Sequence, residues 1–485
     1  MGGLVTAVQL YDINTRKFIH VSRNSASRLD RQALPYQPFC PTRPHPAAIH
    51  ALWKKPLALI VQKFGGDALG DKGKGKSKDG SEPLFGAQFL ADKFLEIARI
   101  VKRSVDNGDR VIVVVSAMGD ATNRLIAMAQ ALSPKQPARE MDMLMVTGEQ
   151  QAIALMAIAL HAVGVPSMSF TGLQVGIITE NVFGKARIKE INSDRLKKAL
   201  AEGVVPVVAG FQGTTEDYEF TTLGRGGSDI TAVAVGAAVG ADYCEFYKDV
   251  DGIFTTDPRV APKARKIDRI SYDEMLELAS QGAGVLQSRS VEFAKNYNVP
   301  LHVRSFLHDR PGTYVVPEEK EMEDVVVSGV AFNRTEAKVA LLGLPDKPGM
   351  AAELFSRIGA KGIVVDMIIQ NVAEGGTNDI TFTVARSDYD AAVKIAEEVR
   401  KEIGAKKVEG DDSIAKISAV GVGMRSHADV ASKMFRALAA NNINIMLIST
   451  SEIKISCIIA EKDLDKAVRA VHDAFEAEQR LQKSS

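Results

Sequence analysis

Three unbroken apolar runs, 57–61, 111–115 and 204–209, most limit what this chain can fold into. A strand that is apolar on both faces has to be covered on both faces, which is the condition of a parallel sheet between helical layers. Between the runs lie stretches with helical spacing, such as Phe89, Phe94, Ile97, Val101 and Val105 and the long segment from Met141 to Leu160. The same alternation continues through 165–170, 196–200, 241–247 and 300–306, so the first three hundred or so residues read as an α/β domain with a mainly parallel central sheet. Open sheets of this kind meet their ligands at the carboxyl ends of the strands.

Glycines collect at those ends. Lys63-Phe64-Gly65-Gly66 follows the first strand and Ser116 to Asn123 follows the second. The third leads through a polar hairpin to Gly224-Arg225-Gly226-Gly227-Ser228-Asp229. Ser228 suits a helix N-cap and Asp229 its first turn, so bare N–H groups there predict an anion site. Lys63 supplies a point charge and Arg225 a planar fork suited to a carboxylate. Glu149 sits in the long helix among Met145, Ile153 and Leu155; it is either a solvated acid or a placed functional group, and the apolar neighbours favour the second. Asp249, Asp251 and Asp257 share a loop with Gly252, but their spacing is not that of an EF-hand. Ser271 to Glu274 is a capping box opening a helix at Met275.

Composition excludes several function classes. Sixty basic and sixty acidic residues balance, which gives no footprint for nucleic acid or an anionic membrane. No run approaches eighteen consecutive apolar residues, so a spanning helix is not expected. Cys40, Cys244 and Cys457 are scattered and odd in number, which fits a reducing, cytoplasmic setting and neither disulfides nor zinc. The eight histidines have no metal-ligand spacing and no G-x-S-x-G occurs. Residues 1–56 are acid-poor and proline-rich, either a targeting segment or an upstream extension without a fold of its own; lack of an apolar helical face favours the extension. Residues 70–83 read as a solvated, mobile loop.

Past about residue 325 an internal repeat begins. Ala337-Lys-Val339 is echoed by Ala415-Lys-Ile417, Asp346 to Met350 by Met424 to Ala428, and Ile363 to Gln370 by Ile443 to Thr450. Each copy reads strand, helix, strand, strand, helix, strand, and copies this small bury their faces best against one another.

Together the KFGG, SAMGDATN (116–123), GE (148–149), TGLQ (171–174), LGRGGSD (223–229), DVDGIFTTDPR (249–259), RSVEFA (289–294) and ISTSEIKIS (448–456) segments resemble the aspartokinase family. The resemblance covers about residues 57–480. It implies an amino-acid kinase fold over 57–310, a linker over 311–334 and two βαββαβ ACT domains over 335–410 and 411–485. Such enzymes move the γ-phosphoryl of magnesium ATP to the side-chain carboxylate of L-aspartate, the first step towards lysine, threonine and methionine. A carboxylate nucleophile is ionised at neutral pH, so a site without histidine or cysteine suffices.

The resemblance also assigns roles. Lys63 and Asp229 are the catalytic pair. Aspartate is held by Ser116, Asp120, Ala121, Thr122, Asn123, Arg124, Glu149, Arg225, Gly226, Gly227 and Ser228, with Arg225 on its α-carboxylate and Glu149 on its ammonium. ATP meets Lys63, Phe64, Gly65, Gly66, Tyr247, Lys248, Ile253, Phe254, Thr255, Thr256, Asp257, Pro258, Arg259 and Gly284. No protein metal site is implied. Lysine or threonine binds across ACT–ACT contacts of a homo-oligomer, at Asp346, Lys347, Pro348, Gly349, Met350, Ala351, Val364, Val365, Asp366 and Gln370 in the first copy. In the second copy the positions are Val430, Ala431, Asn444, Ile445, Ser451 and Glu452. Three departures from the family pattern stand out: Asp67-Ala68 replaces small hydroxyl residues, Gly284 a lysine, and Lys248 a small polar residue. They predict weakened ATP binding, partly compensated by Lys248, and admit a second reading as a catalytically weakened ACT-domain amino-acid sensor or regulatory subunit.

Overall fold

In the computed structural model the described residues are 8–12, 17–21, 58–70, 87–319, 326–373, 376–427 and 429–484. The chain divides into two units at Lys55 and Pro56. In the first, Val8–Asp12 pairs antiparallel with Lys17–Val21, so this extension does hold a hairpin. The rest of the extension and all but Gly70 of the expected mobile loop lie outside the described residues.

The second unit opens with an eight-stranded sheet. Its spatial order is Arg269–Ser271, Thr313–Val316, Leu301–Ser305, Tyr243–Lys248, Leu59–Phe64, Arg110–Val115, Val205–Ala209 and Ser167–Phe170. Every pairing is parallel except Leu301–Ser305 with Thr313–Val316. The apolar runs form three adjacent strands whose residues Leu59–Val61, Val111–Val115 and Val205–Ala209 are all buried, with Ala87–Asp106 and Ala138–Ala162 packed on one face and Gly227–Val239 on the other. By length and composition Ala138–Ala162 would cross a membrane, but half of its most apolar window is buried in the protein.

The two ACT copies share a six-stranded antiparallel sheet, in the order Val365–Ala373, Thr377–Ala385, Gly329–Pro345, Lys407–Val420, Lys454–Ala460, Leu447–Thr450. This corrects the expected partition. The span 311–334 is not a bare linker: Thr313–Val316 completes the kinase sheet and Gly329–Asn333 pairs with Lys416–Val420. Nor does the second copy end in a strand, because helix Leu464–Ser484 closes the described chain. The upstream half of Gly329–Pro345 takes the place that strand would occupy. The 410/411 boundary falls inside Lys407–Val420, whose first part serves one copy and its last part the other.

Candidate active site

Lys63 and Lys248 end neighbouring parallel strands, with Phe246 opposite Lys63 and Tyr247 opposite Phe64. Between them the Gly227–Val239 helix inserts Asp229. Its carboxylate meets Lys63 Nζ at 2.6 Å and Lys248 Nζ at 3.1 Å. Burial works against the Asp229 charge, yet the Lys248 and Lys63 ammoniums outweigh it and hold the carboxyl down at about 2. Burial likewise pulls Lys63 below the ordinary lysine range, and Asp229 opposes that pull. Two ammoniums share the Asp229 carboxylate, and the nearby Asp67 carboxylate offsets more of the charge on Lys63.

The strand-end loops lock around this triad. Gly119 N–H donates to the Gly66 carbonyl at 3.0 Å, and a Cβ on Gly66 would stand 2.8 Å from the Ala117 carbonyl, so this approach demands glycine. Ser116 and Ser228 hydroxyls are 2.7 Å apart. The next residue, Ala117, donates its N–H to Glu149 Oε1 at 3.0 Å. Glu149 is 3% exposed, and its Oε2 is buried with no hydrogen-bond partner among the described residues. Burial pushes its carboxyl up to about 7, partly offset by the Ala117 hydrogen bond. Lys63, Asp229, Ser228, Ser116 and Glu149 thus follow one another along a single rim, and Arg225 stands exposed just before Gly227.

Several expectations are corrected. Gly226, not Ser228, caps the helix, at φ 73°, a left-handed conformation that glycine adopts without strain; this frees Ser228 to face Ser116. The N–H groups of Gly227 and Asp229 are not bare, since the Gly224 and Gly226 carbonyls take them. Phe64 and Tyr247 stack on each other at 4.7 Å inside the protein, and Ile253, Thr255 and Thr256 are buried too, so Phe64, Ile253, Thr255 and Thr256 present little side-chain surface to a nucleotide. Phe254 is half-buried, Pro258 is exposed, and Arg259 folds back on Asp257. Gly284 is exposed, with open space where a side chain would go. Thr122, Asp120 and Ala121 are half-buried, Asn123 bonds Asp120, and Arg124 is exposed. Thr171 and Gln174 make a capping box, a structural use of TGLQ.

In the first ACT copy a cleft of about 310 Å³ gathers Asp346 to Ala351 and Gln370, together with Leu344, Asn378 and Ile380, which sequence reasoning missed. Val364, Val365 and Asp366 lie outside it. Asp366 is engaged by Lys416 of the second copy, a buried ammonium also 3.0 Å from Glu336. In the second copy Asn444, Ser451 and Glu452 are exposed and Ala431 and Ile445 half-buried, but Val430 packs into the core, so its side chain is not free for a ligand. A larger cleft of about 710 Å³ runs between Ala87–Asp106 and residues 304–309; of the expected site residues only Tyr247 lines it. Also missed was Asp142, wholly buried, which accepts from the Thr222 N–H and hydroxyl and the Gly184 N–H and so fixes the entry to the glycine loop.

A model of the amino acid kinase family matches residues 58–305, and ACT domain models match 338–404 and 417–475. The chain is 50% identical over 421 residues to an aspartate kinase of Stutzerimonas stutzeri, spanning 87% of this chain and 98% of that one. This chain belongs to the aspartate kinase family. Another aspartate kinase family member, the aspartokinase of Mycolicibacterium smegmatis, is 48% identical over 424 residues, covering 86% and 96% of the two chains. The fold extends to E. coli aspartokinase III, crystallised with aspartate and ADP, at a TM-score of 0.69 and 24% identity over 86% of this chain and 99% of that one.

Proposed function

We propose that this chain transfers the γ-phosphoryl group of ATP to the side-chain carboxylate of L-aspartate, giving 4-phospho-L-aspartate. The observation that carries the reading is the Lys63–Asp229–Lys248 triad at adjoining strand ends, set on one rim with a buried, half-unpaired Glu149. The β-carboxylate oxygen attacks the γ-phosphorus, the bond to the β,γ-bridging oxygen breaks, and ADP leaves with that electron pair. Lys63 and Lys248 offset charge on the phosphoryl oxygens, and Asp229 keeps both ammoniums aimed and ionised. Glu149 Oε2 takes the substrate ammonium, which also satisfies a buried acceptor. Arg225 takes the α-carboxylate. The described residues hold no group of three His, Cys, Asp or Glu side chains able to cage a metal. Magnesium, when present, would come with the nucleotide and shield its phosphates.

The cleft at Asp346 to Ala351 supports an amino-acid effector, lysine or threonine, because Asn378 Oδ1 there is buried with no partner among the described residues while its amide N–H bonds Asp346. Edge strands Val365–Ala373 and Leu447–Thr450 expose Ile368, Val372 and Ile448, which supports assembly of copies through the ACT sheet. The deciding experiment measures ADP release with aspartate or glutamate as acceptor, with and without lysine plus threonine. Turnover confined to aspartate and depressed by an effector is expected; no turnover with aspartate would sink the reading.

A further inference from the structure

Helix Leu464–Ser484 belongs to the second ACT copy, yet one face of it grips the loop that follows Lys248. His472 Nε2 lies 2.8 Å from Thr255 Oγ1, and His472 is 2% exposed. Thr255 Oγ1 also accepts the Arg265 N–H at 3.0 Å, which leaves its own proton available to His472 Nε2. Burial lowers the His472 pKa, against the pull of Glu476, in keeping with a neutral ring that accepts at this nitrogen. One turn on, Glu476 holds Arg265 through two bonds, Nε to Oε2 at 2.5 Å and Nη2 to Oε1 at 2.7 Å. Asp473 meets Lys263 at 2.9 Å, and Arg469 donates to the Val260 carbonyl at 3.3 Å. From the shared ACT strand, Val330 N–H donates to the Thr255 carbonyl at 2.7 Å.

Within the kinase domain the loop is held by the Ile253 N–H on the Thr313 hydroxyl at 2.8 Å and the Thr255 N–H on the Arg265 carbonyl at 2.8 Å. Its own ladder is two residue pairs, Ile253 with Ile267 and Phe254 with Lys266, and a two-stranded ribbon of that size does not keep its shape alone. Thr255 and Thr256 are buried and cannot face a nucleotide with their side chains. Their part in nucleotide binding is then to fix the backbone that carries Asp257 to Arg259.

We propose that His472 is a positioning residue for the nucleotide: through the Thr255 hydroxyl it sets the course of residues 255–259, so that ATP affinity depends on how the second ACT copy is seated. This rests on the reading of 253–259 as the nucleotide loop. Arg259→Ala tests that reading by itself, and His472→Phe tests the inference. Phenylalanine keeps the ring and deletes the acceptor, while His472→Gln places an amide where Nε2 stood.

In the full chain, His472→Phe should raise KM for ATP about fivefold, the worth of one net hydrogen bond, with kcat and KM for aspartate within about twofold. His472→Gln should recover most of the loss. Thr255→Val, which deletes the other partner, should give the same shift, and the Thr255→Val/His472→Phe double variant should add little more. If Arg259→Ala raises KM for ATP and His472→Phe does not, the inference fails and the nucleotide loop stands. If Arg259→Ala leaves KM for ATP unchanged, the loop reading itself fails. Equal losses for both substrates, with no rescue by glutamine, mean His472 merely supports the fold, and that overturns the proposal.

Discussion

Glu149 is the residue whose chemistry turns most on pH. Its carboxyl titrates at about 7 in the folded protein, above its ordinary value, so near pH 6 it is mostly protonated and cannot hold an ammonium. KM for aspartate should therefore fall as pH rises from about 6 to about 8, and Glu149→Gln should raise KM and flatten that dependence. The stability consequence has the opposite sign: between the unfolded and folded values the unfolded chain has already lost its proton, so stability declines as pH rises through that window. A KM profile unchanged by Glu149→Gln would remove Glu149 from the ammonium site. Asp229→Asn should do more harm than a missing contact, because it leaves two ammoniums facing each other in a nearly dry site; about 3–5 kcal/mol of lost stability is expected in chemical denaturation. Gly284→Lys has room for its side chain and adds a positive charge. If the departures from the family pattern weaken ATP binding, it lowers KM for ATP; an unchanged KM refutes that account. Lys63, Glu149 and Asp229 were legible in sequence because each lies within two residues of a glycine, at a strand end, in a long apolar helix or in a helix's first turn. Asp142 and His472 were not, since their partners are 80 and 217 residues away and only the folded sheet brings them near.

Among elements, the helix Tyr272–Ser280 shows how a local signal acquires a distant job. Its capping box was readable from Ser271 and Glu274, and it forms as read, with Glu274 Oε2 accepting from the Ser271 N–H and hydroxyl. The second oxygen was not readable: Oε1 accepts from the Ser328 hydroxyl at 2.5 Å and the Val422 N–H at 3.0 Å, joining a kinase-domain helix to the ACT sheet. Glu274→Ala should cost about 2–3 kcal/mol, since it removes a cap and orphans a buried N–H, and a denaturation midpoint would show it. A loss of a few tenths would mean the cap alone matters. The parallel strands were legible for a plain reason: apolar runs bounded by glycine leave few alternatives. The final strand of the second repeat was misplaced because sequence order suggests that a repeat closes on itself, whereas here the closing strand comes from upstream.

At the scale of the whole molecule, the repeat was visible in sequence but the sharing of strands between its copies was not, because pairing register leaves no mark in composition. If copies associate through the exposed edges, Ile368→Glu with Val372→Lys should reduce the mass seen by light scattering. An unchanged mass would place the contact elsewhere. The Gly329–Pro345 strand also decides where this protein can be cut. A piece starting at residue 335 would leave the second copy with an open flank beside Lys416–Val420 and would tend to aggregate. A regulatory half able to stand alone therefore has to begin upstream of Gly329, so that the residues pairing with Lys416–Val420 come with it.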